Sequence, residues 1–132
     1  MQDLLGKPLY TVFAICELIR PPESGGFDLI GLYDTLVVPK LLEGGFRPSF
    51  IPVPVATVWT GGVGAFEQTI ALLDEDGGTI MSKTTPFALQ STSERKYLGT
   101  VFTIEPRAGT YTLVLSRGSE ELARQDFRLL LV

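Results

Sequence analysis

The sequence predicts an all-β protein: an antiparallel β-sandwich of seven to eight strands, immunoglobulin-like or C2-like, with a β-barrel as the alternative. Three observations predict it. Runs rich in β-branched and aromatic residues alternate with Gly-, Pro- and Asp-bearing turns at fairly even spacing. Within several runs apolar residues recur at every second position, the period of a strand with one buried face. No stretch supports a long helix. The chain has 132 residues, 45% hydrophobic and 20% charged, which suits a single packed domain over residues 1–132.

The first run, residues 9–19, carries Tyr10, Thr11, Val12, Phe13, Ile15 and Ile19. "RPPESGG" ends it, since its prolines remove donors and its glycines permit positive φ. Residues 27–38 form the second run, followed by the loop "PKLLEGGFRPS" with one helical turn expected at Lys40–Glu43. In "FIPVPVATVWT" (50–60), Ile51, Val53, Val55 and Trp59 share a face. Pro52 and Pro54 sit two apart, so both lack a donor toward the same side, which points to an edge strand. "TGGVG" reads as a hairpin turn, because it has neither the GKS/T ending nor the following helix of a phosphate loop. Residues 65–73 follow, with Phe66, Ile70 and Leu72 on one face, and "LDEDGG" is a strong hairpin signal. Runs at 79–89 and 96–105 precede "PRAG", which turns the chain into "TYTLVLS"; "RGSEE" turns it again into "LARQDFRLLLV". A helical turn capped by Ser119 competes with the strand reading there, and the β-rich ending favours the strand.

The chemistry is bounded mainly by what the chain lacks. It contains no histidine and a single cysteine, so Ser–His–Asp and Cys–His arrangements are excluded, as are most zinc sites and any intrachain disulfide. No catalytic residue and no cofactor site is expected. Cys16 lies between Ile15 and Glu17; the carboxylate raises a thiol pKa, and the residue is expected to be a buried strand cysteine. The acidic turn Asp74, Glu75, Asp76 offers Asp74 and Asp76 as the only metal candidates, in the manner of loop carboxylates holding calcium. Without EF-hand spacing or a closing glutamate, it reads first as a solvated hairpin tip. Trp59, Tyr33, Tyr97 and Tyr111 are expected to sit in strands as core residues. The net charge of −4, with basic residues scattered singly apart from Arg95 and Lys96, argues against nucleic-acid binding. The N-terminal "MQDLLGKPLYTVFAICE" has no basic region and is interrupted by Glu17, so neither a signal peptide nor a membrane span is expected, and a cytoplasmic location is.

"ICE" near the start, then "DLIGLYD", a proline-bearing strand and "LLDEDGG" together resemble a family of small uncharacterised bacterial single-domain proteins over most of the chain. That resemblance implies one β domain and carries no activity or site residue. The expected function is a non-enzymatic binding or assembly module of a bacterial cell. The alternatives are a calcium- or carboxylate-dependent carbohydrate-binding protein or hydrolase, and a structural subunit of a larger bacterial or phage assembly. Two strands are apolar on both faces: Val12, Ala14, Cys16 and Leu18 oppose Phe13, Ile15 and Ile19, and Leu130 and Val132 oppose Phe127, Leu129 and Leu131. Cover for the second faces is expected from the loop 39–49, with Leu41, Leu42 and Phe46, or from a second copy. A homo-oligomer, first of all a dimer, is favoured over a monomer, with another protein as a further possible partner.

Overall fold

The computed structural model describes residues 6–20, 26, 28–39 and 49–132. Alternation decides the elements. In "GAFEQTIALL" every second side chain from Phe66 to Leu72 points inward, and the burial follows the same period. Nine strands result among the described residues: β1 (Leu9–Arg20), β2 (Asp28–Leu32), β3 (Thr35–Val38), β4 (Ile51–Thr60), β5 (Gly64–Leu73), β6 (Thr79–Leu89), β7 (Lys96–Ile104), β8 (Gly109–Arg117) and β9 (Glu120–Leu131). They form a four-stranded sheet ordered β2-β1-β4-β7 and a five-stranded sheet ordered β3-β9-β8-β5-β6. The core lies between the two sheets and is built from Ile15, Val53, Val55 and Phe102 on one side and Ile70, Leu72, Leu113, Leu115, Phe127 and Leu129 on the other, with Trp59 fully enclosed. A sandwich is therefore the architecture, and the expected strand count rises to nine.

The extra strand comes from residues 27–38. The chain leaves strand geometry at Tyr33–Asp34 and passes from one sheet to the other, so β2 pairs with β1 while β3 pairs with β9. The β3–β9 ladder is parallel, which departs from the all-antiparallel expectation. Without β2 and β3, the order reads β1-β4-β7 against β9-β8-β5-β6. This is the A-B-E and G-F-C-C′ arrangement of an immunoglobulin-like sandwich with no D strand. A second hallmark agrees. Tyr111, just past the β7–β8 corner, donates its hydroxyl to the Arg107 carbonyl at 2.6 Å, the geometry of a tyrosine corner. Two positions on, where antibody domains carry their second bridging cysteine, stands the fully buried Leu113.

Turns with clear chemistry appear where they are expected. Asp74 N–H donates to the Gly78 carbonyl and Gly77 N–H to the Asp74 carbonyl, while Gly77 takes φ +83°. Gly118, at φ +57°, opens the two-residue loop that joins β8 to β9. "TGGVG" is different. It links β4 in one sheet to β5 in the other, so it is an inter-sheet arch and not a hairpin turn. Gly62 is required there: a Cβ would lie 2.7 Å from the backbone nitrogen of Pro8. The helical turn expected at Lys40–Glu43 lies outside the described residues.

Pro52 and Pro54 do not mark an edge strand, because β4 is flanked by β1 and β7. What they end is pairing on one side. The ladder to β7 runs through Pro52↔Thr103 and Pro54↔Val101 without a break, whereas the ladder to β1 stops at Ile15↔Val55. Missing donors at alternate positions act on one neighbour only, so a strand with two prolines can stay central if that neighbour leaves.

β1 does leave. From Cys16 onward its partner is β2 (Cys16↔Leu32, Leu18↔Ile30, Arg20↔Asp28), and the hairpin turns back over the outer face of its own sheet. The Ile19 Cδ1 atom comes within 3.4 Å of the position a Cβ of Gly99 would take. In a flat sheet these residues would be roughly 20 Å apart, given strand spacing near 4.8 Å and a rise near 3.3 Å per residue. A Cβ at Gly26 would likewise lie 3.5 Å from the Tyr97 ring on β7. Ala56 and Val58, on the outer face of β4, are buried. Cover for the outer face of β1 thus comes in part from the end of β1 itself, a solution that differs from both the loop and the second copy. The part of the 39–49 loop that carries Leu41, Leu42 and Phe46 lies outside the described residues.

Candidate functional site

The sequence-derived candidates separate in space. Cys16 is fully buried at the bend of β1, with its sulfur 4.0 Å from the Pro54 carbonyl. Burial pushes its thiol pKa up, and a hydrogen bond with the Leu18 backbone offsets only part of this. A thiol in that position is a poor nucleophile.

Asp74 and Asp76 share the β5–β6 turn, but the turn itself uses Asp74. One of its carboxylate oxygens accepts the Asp76 N–H at 3.0 Å and the Gly78 N–H at 2.9 Å. Glu75 turns away to accept the Thr110 N–H at 2.8 Å, and so braces the β7–β8 corner. Each of these contacts organises backbone, as expected of Asx-type turn chemistry. Among the described residues, no group of three or more Asp, Glu, Cys or His side chains converges as a metal ion would require.

Two open clefts lie at opposite ends of the sandwich. One, about 300 Å³, sits where β6 and β7 approach each other and is lined by Phe50, Ile80, Met81, Ile104 and Tyr111, with Asp74 and Arg107 at its rim. Its polar groups already have partners: the Tyr111 hydroxyl is used by the corner, Asp74 by its turn, and Arg107 lies 3.7 Å from Glu105. The other cleft, about 640 Å³, is shallow and is lined by Lys7, Glu67, Arg117 and Glu120. Arg117 is largely buried there; it donates to the Pro8 carbonyl and pairs with Glu120 at 3.0 Å. Opposite charges balance within this cleft, which leaves no focused field for an anion.

The surface with unanswered chemistry is the top of the β1–β2 hairpin. Cross-strand partners share a face, so Leu18 and Ile30 stand side by side, while Leu32, opposite the buried Cys16 at the base of the hairpin, is also exposed. Their exposures are 49%, 38% and 64%. Ile19 and Leu29, pointing the other way, are half-buried against the sheet beneath. A second exposed apolar pair lies across the parallel ladder, Val37 beside Leu130, followed by Val132. The sequence pointed to Leu18 and Leu130 as outward-facing apolar residues. It did not single out Ile30 or Leu32, because "DLIGLYDTLVV" reads as one strand until its break at Tyr33–Asp34 is known.

One buried polar group went unmarked by sequence, and another was marked but lies elsewhere than expected. Gln68 is fully buried between the sheets; its side-chain oxygen accepts Thr57 Oγ1–H at 2.7 Å and Trp59 Nε1–H at 2.8 Å, and its nitrogen donates to Thr100 Oγ1 at 3.4 Å. The signal was present in the alternation, since Gln68 shares the inward register of Phe66, Ile70 and Leu72. Tyr33 was expected within a strand and instead occupies the crossing between sheets. Its hydroxyl is buried and finds no hydrogen-bond partner among the described residues. Burial, followed by the nearby Cys16 and Glu17, pushes its pKa up to about 12.

No protein-family model matches the chain, and no curated protein matches it. Among the described residues no helix is long and apolar enough to cross a membrane.

Proposed function

We propose that this chain is a non-enzymatic binding or assembly module of a bacterial cell, and that it associates with a second copy through the top of the β1–β2 hairpin. The observation that carries this reading is the exposed cluster of Leu18, Ile30 and Leu32 on an edge hairpin. Edge strands are usually blunted by lysine or proline, and β2, "DLIGL", has neither. Arg20 and Asp28 lie 3.9 Å apart at its end, so an identical surface meets a locally neutral pair. Each leucine or isoleucine covered contributes roughly 1.5–3 kcal/mol, and a two-fold contact places the same cluster on both sides. The polar groups in the clefts, by contrast, are occupied with holding turns and corners.

The test is light scattering on a size-exclusion column at micromolar concentration. A mass near twice that of one chain is expected, returning to that of one chain in Leu32→Lys. A monomer for the unsubstituted protein would overturn self-association. A dimer unchanged by Leu32→Lys would move the interface away from the hairpin.

A further inference from the structure

We propose that Lys83 closes the seam between β6 and β7 to strand addition, and so keeps a second copy of this chain from pairing along β7. Among the described residues these two strands end their sheets, β6 the five-stranded one and β7 the four-stranded one. A strand that ends a sheet offers backbone donors and acceptors to any extended chain, and an inward-pointing charge at the edge is one device that prevents this.

Lys83 breaks the alternation of β6. Met81, Lys83, Phe87 and Leu89 share the inward register, and Lys83 stands opposite the fully buried Ile70 of β5. Period two calls for an apolar side chain at that position. The lysine instead reaches across to the other sheet. Its Nζ lies 5.6 Å from the centroid of the buried Phe102 ring and donates to the Val101 carbonyl, both on β7.

That carbonyl faces the edge, and the prolines of β4 show why. Proline has no N–H, so Pro52↔Thr103 and Pro54↔Val101 are non-hydrogen-bonded pairs within an unbroken ladder. In such pairs the backbone N–H and C=O point away from the partner strand. For Val101 and Thr103 that direction is toward β6, where Lys83 meets the Val101 carbonyl. A second copy laid along β7 has to displace the ammonium from this acceptor. A two-fold contact also brings the second copy's own Lys83 to the join, and like charges there oppose pairing. Lys83 has this role whether or not copies join through the β1–β2 hairpin.

Light scattering on a size-exclusion column, over a wide range of concentration, tests it. Lys83→Met keeps the stem and removes the charge and the donor. Ser82→Met is the control: Ser82 lies opposite Ala71 in the outward register, so the same apolar side chain is added away from the seam. Lys83→Met is expected to gain mass with concentration, to at least about twice that of the unsubstituted protein. Ser82→Met should keep the unsubstituted mass, and both should keep the folded Trp59 emission. Amide exchange at Val101 and Thr103 should slow in the associated Lys83→Met, because an added strand takes up those N–H groups. If Lys83→Met does not fold, Lys83→Ala carries the test with the same readings. A mass for the folded variant equal to that of the unsubstituted protein at every concentration would overturn the role of Lys83. So would equal association in Ser82→Met, or mass gained without slower exchange at Val101 and Thr103, since the new contact would then lie off the β7 edge.

Discussion

Two tyrosines stand at corners where the chain passes from one sheet to the other, and they meet opposite fates. Tyr111, at the β7–β8 corner, donates its hydroxyl to the Arg107 carbonyl four residues back. Tyr33, at the β2–β3 crossing, buries its hydroxyl without a partner among the described residues. The first corner is closed within four residues, and Glu75 braces it by accepting the Thr110 N–H. The second must deliver β2 to one sheet and β3 to the other, so its ring fills space against the core while its oxygen finds no partner among the described residues. The same side chain thus closes one corner and only fills the other. An unmade hydrogen bond costs more than a made one contributes, so the two hydroxyls should differ in sign.

The largest expected effect lies on the alkaline side. The folded-state pKa of Tyr33, about 12, is above its ordinary value of 10.0. Between those limits the unfolded chain loses a proton that the folded chain keeps. The contribution is complete below pH 10 and is lost as pH rises through about 12. Two units correspond to on the order of 2 kcal/mol after some allowance for partial exposure. Tyr111 shifts in the same direction through burial. Urea midpoints measured between pH 9 and pH 12 should fall, and Tyr33→Phe should flatten part of that fall. An equal slope in Tyr33→Phe would remove Tyr33 as its source.

Gln68 extends the comparison to a buried polar group that is well supplied with partners, and it sets the next largest effect. Gln68→Leu keeps the volume but leaves Trp59 Nε1–H with no acceptor, while Thr57 retains the Leu98 carbonyl at 3.4 Å. A stranded buried donor costs about 1–3 kcal/mol, so the urea midpoint should drop with no change in its slope. The bond also joins β5 of one sheet to β4 and β7 of the other, so the Trp59 emission of the folded state should shift with it. A neutral substitution would mean that the network fills space and does little more.

Tyr111→Phe comes next, with a loss of about 1 kcal/mol expected from one net hydrogen bond. The closed corner should loosen locally, which amide exchange at Ala108 and Gly109 would register. Unchanged exchange there would show that the brace from Glu75 holds the corner alone.

How much of this was legible beforehand follows the range of the interaction. The alternation of Ile51, Val53, Val55 and Trp59 is local, and it located the inner face of β4 and its buried tryptophan. The hairpin at Asp74–Gly78 is local too, since Asp and Gly carry the turn geometry themselves. The prolines at 52 and 54 correctly signalled lost pairing, but a sequence cannot say whether a strand lacks a neighbour or has a neighbour that leaves. That ambiguity hid the folded-back hairpin, and with it the surface formed by Ile30 and Leu32. The crossing at Tyr33–Asp34 was hidden for another reason: no glycine or proline interrupts "LYDTLVV", and the break is enforced by the two sheets it must connect. The candidate site was accordingly the least legible part, because it depends on where β1 stops obeying its ladder.

The smallest effect is the sharpest test of the contrast between the two tyrosine corners. Tyr33→Phe removes the hydroxyl and keeps the ring against the core. If the hydroxyl is buried and unpaired, removing it takes away a desolvated polar group and breaks no bond. Stability near pH 7 should then stay within about 0.5 kcal/mol or rise, opposite in sign to Tyr111→Phe. Paired urea curves for the two phenylalanine variants, read by Trp59 fluorescence, decide it. A loss of 1 kcal/mol or more in Tyr33→Phe would show that the hydroxyl has a partner in solution, and would make the two corners alike.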